Sequence, residues 1–284
     1  MFRTSGARYP TDDTDPFNHN VDSLVLTMVP YVQSAIQEAG YSIMVDIFNA
    51  LPKTPDIPPS SNHLFSKAII DGAMFFGGMI NEFQMDTIKS SHIPSVLVCS
   101  RDETIDFVDA DSQEAMRLAV EYLVQHGHRQ IALINGSVRS QVSARKLEGY
   151  QQGLAEYGLP FREELVEFTN FSGASAIQAM EKLSARNLHP TAIIGASDYI
   201  ACAVLNYLRA NNISCPQDIS IIGYENTALS AYATPGITSV NIHKQQLGQE
   251  AAGVLLRRIK TPNARHTGLI IPPTLVVRDS VASI

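Results

Sequence analysis

The amino-acid sequence predicts an α/β fold built on a doubly wound, parallel sheet. From about residue 40 onward, short runs of β-forming residues alternate with longer amphipathic helical patterns. Most of the short runs are continuously apolar, as in residues 131–134, which is typical of a strand covered on both faces. Alternation of this kind indicates βαβ units, in which parallel strands are joined by crossover helices.

The predicted elements follow one another in a regular order. The helical stretch 112–126 carries apolar residues at i, i+3, i+4 and i+7, and Gly127 follows directly as a helix-ending residue. The stretch 247–255 repeats this pattern near the end of the chain. The predicted strands are 42–48, 73–76, 95–99, 130–134, 165–168, 191–195 and 220–223.

Length and composition limit the classes of protein that fit. A chain of 284 residues suggests about two globular units. Hydrophobic residues make up 45% and charged residues 17%, which provides enough apolar surface for a core and excludes a wholly disordered chain. The net charge is −7 with no cluster of Lys or Arg, so the chain is a poor DNA-binding module by itself.

Cysteine usage and hydropathy predict a cytoplasmic protein with no membrane partner. The three cysteines, Cys99, Cys202 and Cys215, are an odd number without zinc-ligand or C-x-x-C spacing, which argues against a disulfide framework. The first residues lack the apolar run of a signal peptide. No run approaches the roughly 20 apolar residues of a membrane span.

Signatures of enzymes and metal sites are missing from the sequence. We find no phosphate-binding loop, no dinucleotide-binding glycine pattern and no nucleophile elbow. His126 and His128 flank a helix-ending glycine, where histidines more often cap and solvate a helix than bind a metal. We therefore expect no catalytic residue, no metal and no cofactor.

Polar residues follow the predicted strands at the points where ligands bind in open α/β sheets. Ser197 and Asp198 follow one strand, Glu225 follows another, and Asp111 precedes a helix. Asp111 and Asp198 are also good helix N-caps, worth about 1 kcal/mol each, and this structural explanation stays open for both. Glu225 has no local role of that kind, which favours a functional one.

A series of short motifs runs in order through residues 40–283. It includes Ile-Asp-Gly at 70–72, Val-Asp-Ala-Asp at 108–111, Leu-Glu-Gly-Tyr at 147–150, Ile-Ile-Gly-Tyr at 221–224 and Pro-Pro-Thr-Leu-Val-Val-Arg-Asp-Ser at 272–280. With this set, the chain resembles the effector-binding region of the lactose/galactose repressor family of bacterial transcription regulators. The fold of that region is the one found in type I periplasmic sugar-binding proteins.

The resemblance implies two doubly wound lobes joined by three crossings, near Gln125, Val240 and Gly268, with the ligand enclosed between the lobes. The N-terminal lobe would comprise 1–125 plus 241–268, and the C-terminal lobe 126–240 plus 269–284. Family members begin with a helix-turn-helix head. Only nine residues precede Pro10 here, so we expect the DNA-binding head to be absent from this chain.

The resemblance also implies ligand-binding residues. Glu225 falls where the family commonly has an aspartate that accepts from ligand hydroxyls. Lys146 stands where an effector-binding arginine is usual, and the exchange replaces a planar, two-pronged donor with a point charge. Ser197 replaces the usual asparagine, and Asp111 matches its family position.

Three further ligand-binding positions follow from the same resemblance. Phe171 aligns with an aromatic residue that stacks on the ligand, although a core or lid role is equally open for it. Arg139 would compensate for the lysine at position 146. Phe17 belongs to an Asp-Pro-Phe segment that resembles the family's Asn-Pro-Phe pocket motif.

The function implied is that of an effector-sensing, dimerising domain of a transcription regulator. Its small-molecule effector would be a sugar or a nucleobase, and the homodimer would contact operator DNA only through the missing head. Two alternatives stay open: a solute-binding protein of a transporter, and a sugar-acting hydrolase or isomerase with Glu225 or Asp111 as base.

Overall fold

The computed structural model describes residues 23–45, 70–77, 80, 82–186 and 188–284. In chain order, the elements found there are α1 (Ser23–Glu38), β1 (Ala73–Phe76), α2 (Glu82–Ser90), β2 (Ser95–Val98), β3 (Asp106–Ala110), α3 (Ser112–Gln125), β4 (Ile131–Asn135), α4 (Gln141–Glu156), β5 (Val166–Phe168), α5 (Gly173–Ala185), β6 (Ala192–Gly195), α6 (Asp198–Ala210), β7 (Ser220–Tyr224), α7 (Ala228–Tyr232), β8 (Thr238–Asn241), α8 (Lys244–Lys260), β9 (Gly268–Ile271) and β10 (Thr274–Val276).

The strands form two sheets with the predicted parallel arrangement. A four-stranded sheet has the order β1-β2-β3-β9, and a six-stranded sheet has the order β10-β8-β7-β6-β4-β5. Neighbouring strands from β5 to β8 run parallel, and β10 pairs antiparallel with β8 at one edge. The predicted α/β class is therefore confirmed.

The continuously apolar runs lie in the centre of the six-stranded sheet. All residues of β4, β6 and β7 are buried, as expected for strands with helices on both faces. The predicted apolar face of α3 is buried as well, and Gly127 takes a left-handed conformation with φ +94° directly after the helix.

Strand prediction was wrong in two ways. Residues 42–45 form no strand, and the rest of the predicted strand 42–48 lies outside the described residues. Four strands were missed: β3, β8, β9 and β10. They have three to five residues each. Polar residues interrupt β3, β8 and β10, and β9 has only three apolar residues after Gly268, so no long continuous apolar run marks them.

The described residues divide into two compact units. The first comprises the described residues from 23 to 109 with 244–270, and the second comprises 110–243 with 271–284. The chain thus passes between units after residues 109, 243 and 270, whereas the resemblance implied crossings near Gln125, Val240 and Gly268. The main difference is α3, which belongs to the second unit.

Close packing of α3 on α4 explains that placement. A Cβ atom at Gly149 would lie 2.0 Å from the carbonyl oxygen of Gln113, so only glycine permits this approach. A Cβ atom at Gly153 would lie 2.9 Å from Cβ of Val120. The Leu-Glu-Gly-Tyr motif therefore joins two helices of one unit.

A buried ion pair organises the first unit. Nε of Arg258, in the last turn of α8, lies 2.6 Å from Oδ2 of Asp106 in β3. The same guanidinium donates to the carbonyl oxygens of Pro262 and Ala264. Because removing one partner would leave an uncompensated buried charge, the pair holds the segment that precedes β9 against β3.

No disulfide joins the three cysteines, all of which lie in the described residues. Burial raises the pKa of the Cys202 thiol to about 11 and that of Cys215 to about 12. Both are therefore protonated, and weak nucleophiles, at neutral pH.

In the described part of the chain, none of the helices combines the length and the apolar character that a membrane crossing needs.

His128 fastens the last residues of the chain to the second unit. Nε2 donates to the carbonyl oxygen of Ala282 at 3.1 Å, since that carbonyl can only accept, and Nδ1 lies 2.9 Å from Oγ1 of Thr191. Burial lowers the pKa of His128 below its usual value, and the nearby His126 and Arg129 act in the same direction. The imidazole is thus held neutral.

We expect this histidine to make the folded state sensitive to acid. Above about pH 6.5 the imidazole is neutral in both the folded and the unfolded chain. As the pH falls below that value, the unfolded chain takes up a proton that the folded chain resists, so the free energy of unfolding decreases. Urea unfolding at pH 7 and pH 5.5 should show a smaller acid loss for His128→Gln, by about 0.5 kcal/mol. The exposed His189→Gln is the control, and equal acid losses in all three proteins would contradict the expectation.

Candidate functional site

The carboxyl edge of the six-stranded sheet collects most of the predicted ligand-binding residues. Because β4 to β7 are parallel, the loops that follow them meet at one edge. These loops carry Arg139 after β4, Phe171 after β5, Ser197 after β6 and Glu225 after β7. Lys146, in the second turn of α4, reaches the same edge.

Lys146 is the buried cation of the site. The residue belongs to α4 and is only 2% exposed. Nζ donates to the carbonyl oxygen of Ala196 at 2.6 Å and lies 3.6 Å from the centroid of the Tyr224 ring. A buried ammonium is costly unless polar groups replace its water, and the carbonyl and the π face provide such groups.

Glu225 lies directly after β7 in a strained conformation. It is 8% exposed, and its φ of +101° is in the region that favours glycine. Its amide donates to the carbonyl oxygen of Val240 at 2.8 Å, and the next residue, Asn226, has φ +51°. Two successive residues with positive φ indicate that the surrounding structure specifies how this loop presents its side chains.

Asp198 fixes the loop that carries Glu225. Its fully buried carboxylate accepts from the amide and hydroxyl of Thr227 at 2.5 and 2.8 Å and from the hydroxyls of Ser230 and Ser239 at 2.8 and 2.6 Å. The expected N-cap role of Asp198 is wrong. Ser197 caps α6, and Asp198 is the first helical residue, free to anchor a neighbouring loop.

Two of the predicted ligand contacts are helix caps. Oγ of Ser197 accepts from the amide of Ile200 at 3.2 Å, which leaves its hydroxyl proton available to donate. Oδ1 of Asp111 accepts from the amide of Glu114 at 3.1 Å and caps α3. Asp111 belongs to the same unit as Lys146 and Glu225, although the resemblance had assigned it to the opposite lobe.

The other predicted residues have different contacts or lie outside the described chain. Phe171 has φ +68°, packs against the core and places its ring beside Gly136, where a Cβ atom would lie 2.0 Å from Cζ. Arg139 is exposed, with its amide bonded to Oγ of Ser137 at 3.3 Å. Phe17 lies outside the described residues.

Sequence reasoning missed Tyr224 and Ser112. Tyr224 ends β7 and is 3% exposed, and its hydroxyl lies 3.0 Å from Oγ of Ser112 at the start of α3. The available signal was a tyrosine at the end of an otherwise apolar strand, because a buried phenol hydroxyl normally finds a hydrogen-bond partner.

The structure therefore gathers Lys146, Ser197 and Glu225 around Ala196 and Tyr224. A cation, a carboxylate, a hydroxyl and an aromatic ring at one edge suit a small ligand that both donates and accepts hydrogen bonds. Within the described residues, no group of three or more His, Cys, Asp or Glu side chains could hold a metal ion.

Comparisons with known proteins were made for the sequence and for the fold. A family model described as periplasmic binding protein-like domain matches residues 120–281. The chain is 31% identical to catabolite control protein A of Priestia megaterium over 222 residues, which cover 77% of this chain and 67% of that protein. It is 29% identical to the HTH-type transcriptional repressor PurR of Vibrio parahaemolyticus over 215 residues, which cover 75% of this chain and 64% of the repressor.

Solved structures with the same fold include a complex of the transcriptional regulator CelR with cellobiose. The TM-score is 0.82 with 26% identity, and the match covers 90% of this chain and 79% of that one. The matched segments span about two thirds of the length of the two curated relatives.

The anchoring role of Asp198 is testable by an isosteric change. Asp198→Asn keeps the shape of the side chain but removes the negative charge that strengthens the hydrogen bonds it accepts. We therefore expect a loss of about 2 kcal/mol in the free energy of unfolding. Urea denaturation measures this loss, with the exposed Glu181→Gln as the control. A variant as stable as the unchanged chain would show that the four donors do not depend on this carboxylate.

Proposed function

Because the chain belongs to the periplasmic binding protein-like domain family and, within it, to the lactose/galactose repressor family of transcription regulators, we propose that it is the effector-sensing domain of such a regulator. The observation that carries the proposal is the buried Lys146 ammonium at the carboxyl edge, over the ring of the residue that precedes Glu225. The effector is a small polar molecule, and a sugar is the preferred class.

A sugar suits the chemistry of this edge. The carboxylate of Glu225 accepts protons from ligand hydroxyls, and the Ser197 hydroxyl donates to ligand oxygens. The lysine provides a point charge, which places fewer geometric demands on the ligand than a planar guanidinium does. A nucleobase is the second class, since it offers both donors and acceptors on a flat ring that an aromatic side chain can cover.

Regulation then requires two states of the protein. An effector shifts their equilibrium only by its difference in affinity for the two states. In this proposal the domain acts in the cytoplasm, and operator DNA is contacted through a helix-turn-helix head of the kind the family carries. The net charge of −7 supports the proposal that a separate head, and not this domain, contacts DNA, because a negative charge disfavours direct binding of phosphates.

We propose no catalytic activity for this chain. The most buried carboxylate of the edge, Asp198, already accepts four hydrogen bonds. Turnover of candidate sugars, followed by chromatography, tests the enzyme alternative. A helix-turn-helix or an export signal encoded upstream of residue 1 distinguishes a regulator from a transporter's binding protein.

We also propose that the domain works as a homodimer. Leu229 and Tyr232, three residues apart on α7, are 49% and 86% exposed and present an apolar surface that a second copy would cover. Sedimentation equilibrium should give twice the chain mass of 31.0 kDa. Tyr232→Lys should shift the species toward monomer, and a monomeric unchanged chain would contradict this proposal.

A screen by thermal shift tests the effector proposal. Cellobiose, ribose and guanine are the probes, each used without other additions. A ligand at 100 times its dissociation constant stabilises the fold by about 2.7 kcal/mol, which raises the Tm of a chain of this size by about 5 °C or more. Glu225→Gln should lose more than half of that rise, because it removes the charged acceptor and keeps the side-chain size.

The control for this screen is Glu148→Gln, an exposed glutamate on α4. It should respond to the probe as the unchanged chain does. If Glu225→Gln responds fully, Glu225 is not a ligand contact. If none of the three probes raises the Tm, these compounds are excluded as effectors.

A further inference from the structure

The side chain of Tyr224 makes contacts at both of its ends. The ring face meets Nζ of Lys146 at 3.6 Å, and the hydroxyl meets Oγ of Ser112 at 3.0 Å. All three residues are less than 4% exposed, so water competes little for either contact. The phenol ring is rigid, so a displacement of its face also displaces its hydroxyl.

Ser112 lies next to a segment that joins the two units. It is the first residue of α3, which begins just after the chain enters the second unit at Ala110. The amide of Asp111, the cap of the same helix, donates to the carbonyl oxygen of Ile271, where the chain enters this unit for the last time. The first turn of α3 is thus tied to two of the three segments that join the units.

We propose that Tyr224 is a positioning residue that transmits the state of the Lys146 ammonium to the first turn of α3. An effector that engages Lys146 weakens the hold of the ammonium on the ring, and the ring passes this change to Ser112 through its hydroxyl. The inference rests on the proposed function, because it describes how occupancy of that site reaches the segments between the units.

Contact geometry alone does not establish coupling, so the test measures coupling directly. It uses the ligand-free protein, in which Lys146→Met removes the ammonium and keeps the length of the side chain. Tyr224→Phe removes the hydroxyl and keeps the ring under residue 146. Amide hydrogen exchange is read by NMR at Glu114 and Ala115, whose amides donate to the side chain and the carbonyl of Asp111.

We expect Lys146→Met to speed exchange at these two amides at least five-fold. In the Tyr224→Phe background, the same change should add less than a two-fold effect, and Ser112→Ala should behave like Tyr224→Phe. Exchange rates are compared with those of amides in α5 to correct for a change in global stability. Lys146→Arg keeps a cation over the ring, so exchange at the two amides should stay slow in this variant. If Lys146→Met fails to fold, the comparison of Lys146→Arg with the unchanged chain still tests the proposal.

A matched control removes a contact between the same helices elsewhere. Nε2 of Gln113 donates to Oε1 of Gln152 on the exposed face of α3 and α4. Gln152→Ala should change the exchange rates of Glu114 and Ala115 by the same factor in the unchanged chain and in Tyr224→Phe, because this contact does not involve Tyr224. The proposal is overturned if Lys146→Met leaves both amides unchanged, or if its effect is the same in the two backgrounds. Because no ligand is used, that failure would not bear on whether the site binds an effector.

Discussion

The arrangement of the second unit depends on the burial of one ammonium group. A carbonyl oxygen and an aromatic face replace part of the water that Lys146 loses on burial, which lowers the cost of placing its ammonium inside the protein. Both partners lie at the ends of neighbouring strands, β6 and β7, so the side chain links α4 to the carboxyl edge of the sheet. The approach of α4 to α3 at Gly149 brings the start of α3 to the same place.

A second buried charge lies at the same edge of the sheet. The carboxylate of Asp198 has no need of a cation, because four donors surround it. Three of those donors come from Thr227 and Ser230, which follow the strained residues Glu225 and Asn226. The cost of the positive φ angles is met by these bonds and by the donation from Arg278 to Oδ1 of Asn226 at 2.6 Å.

The resemblance to the family implies three exchanges at the carboxyl edge of the six-stranded sheet. A lysine in place of an arginine supplies a compact cation that fits over the Tyr224 ring. A glutamate in place of an aspartate places the carboxylate one methylene farther from the backbone, and the backbone of Glu225 has a positive φ. A serine in place of an asparagine still caps α6. We propose that these exchanges change the reach of the cation and of the acid, and with it the ligand preference of the edge.

Much of the fold follows from patterns that local physics makes visible. Buried parallel strands must be apolar on both faces, so β4, β6 and β7 were predicted from short runs alone. β3 was not predicted because two aspartates interrupt its apolar residues. Asp109 pairs with the nearby Arg101, but Asp106 pairs with Arg258, more than a hundred residues away in the sequence, and no local pattern predicts that partner.

The same distinction applies to the site. Local rules placed Glu225 and Ser197 after their strands, since a loop must follow each strand at the carboxyl edge. Whether Asp198 caps a helix or anchors a loop, and whether Tyr224 faces Lys146, depends on residues from β7, β8, α3 and α4 converging in space. Residue order and periodicity thus specified most of the elements and the sheet edge at which we propose that a ligand binds. Packing settled the partners of each buried charge, because compensation of a charge depends on distance in three dimensions.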